Sequence, residues 1–423
     1  MYIPDAPSID RLMRGDLNFK GSSPEHATHN THAFAAKFPP QLPSIFIREL
    51  SREGDVVLDP MAGSGTAIVE AMRLGRIGVG ADIDPLAAKI CSAKSTPLDT
   101  LVVERLGREI VERAATTVAS GGSSYAQSVL DSLDSGTAEF IEYWFLPHTI
   151  AELGALSEAM QALVPSAYAS LFHVLFSSVI VTKSGGVSLA RDLAHSRPHK
   201  VTDKKIKNAV STFGDKVAKS VTMLCELKEF KGTAHVIRAD SRELALANDS
   251  ADLIVTSPPY ANAIDYVRAH KFSLVWLGHK IGDLSGARRQ YIGAEVRSIS
   301  KDGLETATGT DVLRKIETLD SRRARIVRHY FEEMTRSIAE MHRVLKVGRS
   351  AVVVVGSSTV RGILVPTALI LAEIGQGLGF RLVALKERDI DRDRRLMPIS
   401  RSSDETGIEA RMHSEHVIVF LKP

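Results

Sequence analysis

The chain has 423 residues, enough for two or three domains with a sizeable core, so a disulfide miniprotein is excluded. With 44% hydrophobic and 24% charged residues, 30 Gly and 17 Pro, it reads as globular, neither collagen-like nor wholly disordered. Lys+Arg of 53 against Asp+Glu of 50 gives a net charge of +3, too little to make the whole surface a polyanion binder, so any grip on nucleic acid has to come from local basic patches. The two cysteines, Cys91 and Cys225, stand in no metal-ligand spacing, which fits a reducing compartment and metal-free chemistry, and both are expected as small core residues. Residues 1–5 lack the basic and apolar run of a secretory leader, and no stretch approaches the ~20 apolar residues of a membrane span, so a cytoplasmic protein is expected.

Short β-branched runs at 55–59 and 78–82 come first, each closed by a polar or Gly-rich turn and followed by a helical pattern. A long interval, about 91–233, then reads mainly as helices at 101–115, 135–143, 149–163 and 167–181, with Gly121 and Gly122 breaking the first from the next. Lys183 opens an irregular basic stretch running to Lys207. Strands follow at 235–239, 252–255, 351–355, 381–385 and 416–420. A polar, Gly-punctuated interval at 279–319 is expected as a surface loop excursion before a strong helix over 321–345. The alternation predicts an α/β, Rossmann-like sheet of seven strands with a mainly helical inserted domain. Expected boundaries are 1–95 for a segment closing over a cofactor plus the first half of the sheet domain, 96–232 for the insertion, and 233–423 for the second half.

The run Val57-Leu58-Asp59-Pro60-Met61-Ala62-Gly63-Ser64-Gly65-Thr66 is a strand, a glycine turn and a helix start, placed where a doubly wound sheet binds ligands. Asp82 ends the next strand, where a carboxylate can accept hydrogen bonds from both hydroxyls of a ribose. Together they point to a nucleoside-bearing cofactor. A dinucleotide site is the rival, but Ile68 stands where the third glycine of Gly-x-Gly-x-x-Gly belongs.

The fourth strand ends in Thr256-Ser257-Pro258-Pro259-Tyr260. Prolines fix φ and carry no N–H, so the Ser257 and Pro258 carbonyls can face a ligand from a stiff backbone. An amine on an aromatic ring is a poor nucleophile because its lone pair is delocalised. Fixed acceptors holding its N–H groups favour pyramidalisation and free that pair, while Tyr260 can stack on the ring.

On these residues the chain resembles the S-adenosylmethionine-dependent DNA amino-methyltransferases, which modify exocyclic amines of adenine or cytosine. The run from Asp59 to Thr66 looks like the family's cofactor motif, with Met61 where Phe is usual, and Thr256 to Tyr260 looks like its catalytic motif. Phe34-Ala35-Ala36-Lys37-Phe38-Pro39-Pro40 resembles the segment that closes over the methionine end of the cofactor. Asp240-Ser241 matches the position where an acid contacts the adenine amine of the cofactor. The resemblance covers about the first hundred residues and 233–423. It implies a methyltransferase sheet, S-adenosylmethionine as donor, double-stranded DNA as substrate, a possible role beside a partner restriction endonuclease, and catalysis by Ser257, Pro258, Pro259 and Tyr260. Donor contacts are implied for Phe38, Pro39, Asp59, Pro60, Ala62, Gly63, Ser64, Gly65, Thr66, Asp82, Asp240 and Ser241. Ser257 before the prolines is most often associated with cytosine N4, whereas the order of the motifs resembles a group in which adenine enzymes predominate. Cytosine is favoured, with adenine N6, an RNA amine and a non-enzymatic nucleic-acid-binding regulator as the alternatives.

Neither Cys91 nor Cys225 adjoins the Pro-Pro-Tyr run, which argues against the nucleophilic cysteine that carbon-5 methylation needs. For gripping DNA, the candidates are Arg191, Arg197, Lys200 and Lys204 in the basic stretch, and Arg288 and Arg289 in the polar excursion. Tyr143, Trp144 and Phe145 are read as a hydrophobic corner of the insertion, and His26, His29 and His32 as capping and loop residues with no metal.

Overall fold

The computed structural model describes residues 6–21, 27–34, 37–182, 186–191, 198–261, 266–294, 306–391 and 412–423. The seven expected strands form one sheet: β1 (Val56–Asp59), β2 (Ile77–Asp82), β3 (Thr233–Arg238), β4 (Ala251–Thr256), β5 (Leu345–Val355), β6 (Arg381–Asp389) and β7 (Ser414–Leu421). Their spatial order is β6-β7-β5-β4-β1-β2-β3. β7 runs antiparallel to both its neighbours, and the other pairings are parallel. The chain therefore winds one way from β1 to β3 and the other way from β4, and the carboxyl ends of β1 and β4 lie at the point where strand order reverses, where such sheets bind ligands.

Side-chain alternation explains the layers. Val57, Leu253, Val255, Val352, Val354, Val417 and Val419 face one side, against α1 (Ala6–Arg14), α2 (Gln41–Leu50) and α3 (Thr66–Arg73). Their neighbours Leu58, Ile254, Val353, Val355, Ile418 and Phe420 face the other. β4 is buried at all six positions, as expected for a central parallel strand. Its one charge, Asp252, is satisfied at the strand entrance by Lys346 and Arg349, each at 2.9 Å, and by the Val56 N–H at 3.0 Å.

After α4 (Pro85–Ser95) the chain leaves the sheet for α5 (Thr100–Asp131), α6 (Ser135–Trp144), α7 (Pro147–Leu163), α8 (Ser166–Ile180) and α9 (Ala209–Leu227). The Gly121-Gly122 break is a kink within α5, where Gly122 has φ 53° and ψ −148°. The sequence reading missed α9, which starts two residues past the basic stretch with Asn208 capping the Ser211 N–H at 2.8 Å. The apolar core of this helical layer reaches beyond 96–232: it takes in Leu86, Ile90 and Ala93 of α4 as well as Val267, Phe272 and Leu284.

The second long interval differs from its expectation as a loop excursion. Beyond α10 (Tyr266–Leu274) it carries α11 (Ile281–Ala287) and α12 (Ala307–Leu319), ahead of α13 (Ser321–Val344) and α14 (Thr367–Gly377). Few polar residues are needed to satisfy α11: Leu284 is buried in the helical core and the Ile281 N–H bonds to the Thr137 hydroxyl at 3.0 Å. α12, α13 and α14 cover the second face of the sheet. Cys91 is buried as expected, but Cys225 is exposed on α9. Among the described residues, no helix is long and apolar enough to cross a membrane, and no cluster of His, Cys, Asp and Glu is arranged to hold a metal ion.

Candidate active site

The loop after β1 is shaped by its glycines. Gly63 and Gly65 adopt φ of +51° and +75°, which L side chains rarely accept. A Cβ on Gly65 would stand 2.6 Å from Cys91 Sγ, and one on Gly63 would stand 3.2 Å from the Phe34 ring. The result is bare backbone leading into α3 at Thr66, with Ser64 and Thr66 joined through their hydroxyls at 3.3 Å and Pro60 and Ala62 packed beneath. Lys94, buried in α4, donates to the Ser64 carbonyl, and burial followed by repulsion from Lys37 brings its amine down to about 7.

Asp82 ties this loop to the end of β2. Its Oδ2 accepts the Gly63 N–H at 2.8 Å and its Oδ1 the Asp84 N–H at 2.9 Å. Burial, and then Asp84, push the Asp82 carboxyl up to about 6. Asp84 itself caps α4 through the Leu86 and Ala87 N–H groups, and its Oδ2 lies 2.8 Å from His270 Nδ1 in α10. Burial alone would raise Asp84, but His270 and the two backbone donors outweigh it and hold the carboxyl below its ordinary value.

The catalytic-motif loop adjoins this one through a direct bond. Thr256 at the end of β4 donates its hydroxyl to Asp59 Oδ1 at the end of β1, 2.7 Å away, and the Met61 N–H donates to the same oxygen at 3.1 Å. Asp59 is 2% exposed, and its burial drives the carboxyl up to about 7 despite those two donors. Beyond Thr256, the Pro259 carbonyl accepts the Tyr330 hydroxyl of α13 at 2.8 Å. No donor among the described residues reaches the Ser257 or Pro258 carbonyl, so both stay available as acceptors. Tyr260 is buried rather than swinging free. Its hydroxyl donates to Glu415 Oε2 on β7 at 2.8 Å, and Arg388 on β6 holds Glu415 in turn.

The N-terminal segment covers the loop from outside. Thr28 donates to the Lys94 carbonyl at 2.6 Å, His29 pairs with Glu70 of α3 at 2.9 Å, and Lys37 donates to the His29 carbonyl at 2.8 Å. His32 Nδ1 lies 2.7 Å from the Ala33 carbonyl and its Nε2 2.8 Å from the Ser177 hydroxyl of α8, which donates to Ser273 of α10 at 2.8 Å. Burial, with His270 next, holds the His32 imidazole neutral by bringing it down to about 3. The aromatic residue of this segment nearest the glycine loop is Phe34. Phe38 lies instead in the apolar layer with Leu42, Phe46 and Val57, and Pro39 starts α2 by accepting the Leu42 N–H at 2.9 Å.

Asp240 and Ser241 follow β3. Both Asp240 oxygens accept from Arg242: Oδ1 from its backbone N–H at 2.9 Å and Nε at 2.8 Å, Oδ2 from Nε at 3.0 Å and Nη2 at 2.6 Å. The single Nε–H is shared between the two oxygens, so Arg242 engages both of them with three hydrogens. Ser241 is buried with its hydroxyl 3.0 Å from that of Ser337 on α13.

Among the expected DNA contacts, Arg197 lies outside the described residues. Arg191 and Lys200 are exposed on a two-residue hairpin, and the Lys200 ammonium sits 4.2 Å from the centre of the Tyr143 ring. Tyr143 is 54% exposed, so the corner divides: Trp144 and Phe145 pack against Phe272, and Tyr143 faces solvent. Lys204 is a brace, donating to the Ser188 and Ala190 carbonyls at 2.7 and 3.2 Å. Arg288 and Arg289 are exposed after α11. Tyr330, Glu415 and Arg242, which no motif announces, are the residues that sequence reasoning missed. The first two act across 71 and 155 residues of chain, a separation that leaves no local pattern.

In comparison with known proteins, the chain is similar to DNA methyltransferases. Residues 16–93 match the family model described as DNA methylase. The Type II methyltransferase M.MvaI of Kocuria varians is 25% identical over 385 residues, covering 85% of this chain and 83% of that protein. M.BsoBI of Geobacillus stearothermophilus is 23% identical over 446 residues, covering 92% and 86%. Among solved structures, a DNA modification methylase of Thermus thermophilus complexed with S-adenosyl-L-methionine is 17% identical, covering 44% of this chain and 54% of that one, with a TM-score of 0.22, too low to add to the fold already described.

Proposed function

We propose, from the premise that the chain belongs to the S-adenosylmethionine-dependent DNA amino-methyltransferases, that it methylates the exocyclic N4 amine of cytosine in double-stranded DNA. The observation that carries this reading is the 2.7 Å bond from Thr256 to Asp59, which seats the glycine loop and the diproline loop side by side at the strand reversal. The residues fit the donor. Two positive-φ glycines leave backbone bare beneath Phe34, and Asp82 stands at the neighbouring strand end where ribose hydroxyls need an acceptor.

When bound, S-adenosylmethionine supplies an electrophilic methyl on a sulfonium. The Ser257 and Pro258 carbonyls accept the two N–H bonds of the target amine, turn its lone pair toward the donor side and stabilise the positive charge that develops on nitrogen. Tyr330 fixes the Pro259 carbonyl, so the loop keeps its shape without spending the two acceptors. Tyr260, oriented by Glu415, presents a ring face to the base, which offsets part of the few kcal/mol needed to flip it from the duplex. No covalent enzyme intermediate is formed. Cys91 lies beneath Gly65, where burial pushes its thiol up and away from the thiolate.

The helical insertion, 96–232, serves as the target-recognition unit. Arg191 and Lys200 lie on its rim, and Arg288 and Arg289 lie on the adjoining α11 side. Ser257 rather than an acid or amide before the prolines favours cytosine. Incubation with labelled donor and duplex DNA, single strands or transfer RNA, followed by digestion to nucleosides, tests both levels. N4-methylcytosine from duplex is expected, N6-methyladenine refutes the choice of base, and label confined to transfer RNA refutes the choice of polymer.

A further inference from the structure

The segment following α11 crosses the carboxyl ends of β2 and β3, and three attachments hold it there. Arg242 donates from Nη2 to the Gln290 carbonyl at 2.7 Å while the same guanidinium holds Asp240 through Nη2 and Nε and Glu333 through Nη1. Glu333 accepts the Gly293 N–H at 2.8 Å. Between these two points, Tyr291 packs on the helical core and Ile292 on the core beneath α13, so consecutive side chains grip opposite sides of the cleft. The Tyr291 phenol lies near the Asp84 and Asp82 carboxylates; burial first, then those charges, push it above its ordinary range. Asp82 ends β2 and Asp240 lies just past the end of the adjacent β3, the Ala239 N–H donating to the Asp82 carbonyl at 3.1 Å. The bridging segment therefore passes over the ground between the two acids expected to flank the donor's nucleoside.

We propose that Tyr291 is a donor-binding residue, its ring forming the wall against which the adenine of S-adenosylmethionine stacks, with Arg242 as the latch that keeps the segment over the site. This deepens the proposed function and rests on its reading of the cleft. It also accounts for Asp240. With both oxygens of that carboxylate engaged by Arg242, the acid serves the adenine end by anchoring the latch, and the ring supplies the contact. A stacked aromatic wall holds a planar heterocycle without asking for a particular hydrogen-bonding edge.

The test is calorimetric binding of S-adenosylmethionine, S-adenosylhomocysteine and 5′-methylthioadenosine to the full chain and to Tyr291→Ala, Tyr291→Phe and Arg242→Met. Methylthioadenosine carries the nucleoside but not the amino-acid end, so it reports where an effect acts. Tyr291→Ala is expected to weaken all three ligands by a common factor of about ten, the scale of one aromatic stacking contact, while Tyr291→Phe stays within about threefold of the parent. Arg242→Met is expected to weaken them in the same proportion to one another. Thermal melting of the unliganded variants, with Tyr291→Phe as the conservative reference, separates lost contact from lost fold. Unchanged affinity in Tyr291→Ala overturns the inference, as does a loss confined to the two ligands with an amino-acid end. Tighter binding in Tyr291→Ala overturns it too, by making the segment a plug. A parent protein that binds none of the three refutes the proposed function itself, an outcome distinct from all of these.

Discussion

The buried carboxyl at the junction of the two loops makes a pH-dependent prediction that Asp59→Asn isolates. Burial moves Asp59 from an ordinary value of 3.8 to about 7, a displacement of roughly 3 pKa units or about 4 kcal/mol at 1.36 kcal/mol per unit. Between about pH 4 and 7 the folded protein keeps a proton that the unfolded chain has released. Stability of the parent therefore falls by about 1.4 kcal/mol per pH unit across that window and levels off above it. Asparagine keeps an oxygen for the Thr256 hydroxyl and the Met61 N–H and never ionises, so the variant lacks this slope. Near pH 4 the two proteins should be close in stability, because the protonated acid and the amide present the same acceptor and each carries a buried donor. At pH 8 the variant should be more stable by about 4 kcal/mol, the full displacement of the acid. Asp82, raised to about 6, adds a slope of its own to both proteins, and its repulsion with Asp59 ends when asparagine replaces the acid. Urea unfolding followed by far-UV circular dichroism at pH 4.5, 5.5, 6.5 and 8 measures the offset. An offset that does not grow between pH 4.5 and 7, or one of opposite sign, refutes the reasoning.

Other substitutions separate the roles of neighbouring residues. Gly65→Ala should cost about 1 to 3 kcal/mol, because the residue sits at φ +75° with Cys91 Sγ 2.6 Å from the new methyl, and Gly63→Ala should cost less because, beyond the positive-φ strain that both share, it meets the movable Phe34 ring; thermal melts that reverse this order would contradict the packing. Tyr260→Ala should cut turnover at least about tenfold with donor affinity kept, and Tyr260→Phe, which keeps the ring and loses the bond to Glu415, should stay much closer to the parent in single-turnover methylation. Lys200→Ala should lower the slope of log affinity for duplex DNA against log salt by about one, whereas Lys204→Ala, whose amine already serves two carbonyls, should leave that slope unchanged while lowering the melting temperature; equal slope changes in both would refute the distinction.

The sheet was legible because its signals are local. Within β4 and β5, residues 253–255 and 351–355 read as continuous apolar runs, and a strand needs only its own few residues to announce itself. The glycine turn and the diproline corner were legible for the same reason, since φ constraints act on the residue that carries them. α9 and α11 escaped because composition pointed the other way. Basic residues precede α9, and α11 is glycine-rich at both ends; each is held by tertiary contacts, Phe213 and Leu224 in one and Leu284 in the other.

The site adds a second kind of illegibility. Asp59 and Thr256 were each expected near the reaction, yet the bond joining them spans 197 positions and exists only because β1 and β4 are parallel neighbours. Tyr330 and Glu415 belong to the diproline loop in the same sense: α13 carries one and β7 the other, so elements later in the chain set the posture of a loop that begins at the end of β4. A motif therefore names the atoms that meet the substrate, while their stiffness comes from elements whose own sequences read as ordinary helix and strand. Changes at Tyr330 or Glu415 should accordingly act on turnover by loosening the Pro259 carbonyl or the Tyr260 ring, although neither side chain lies in the motif that marks the chemistry.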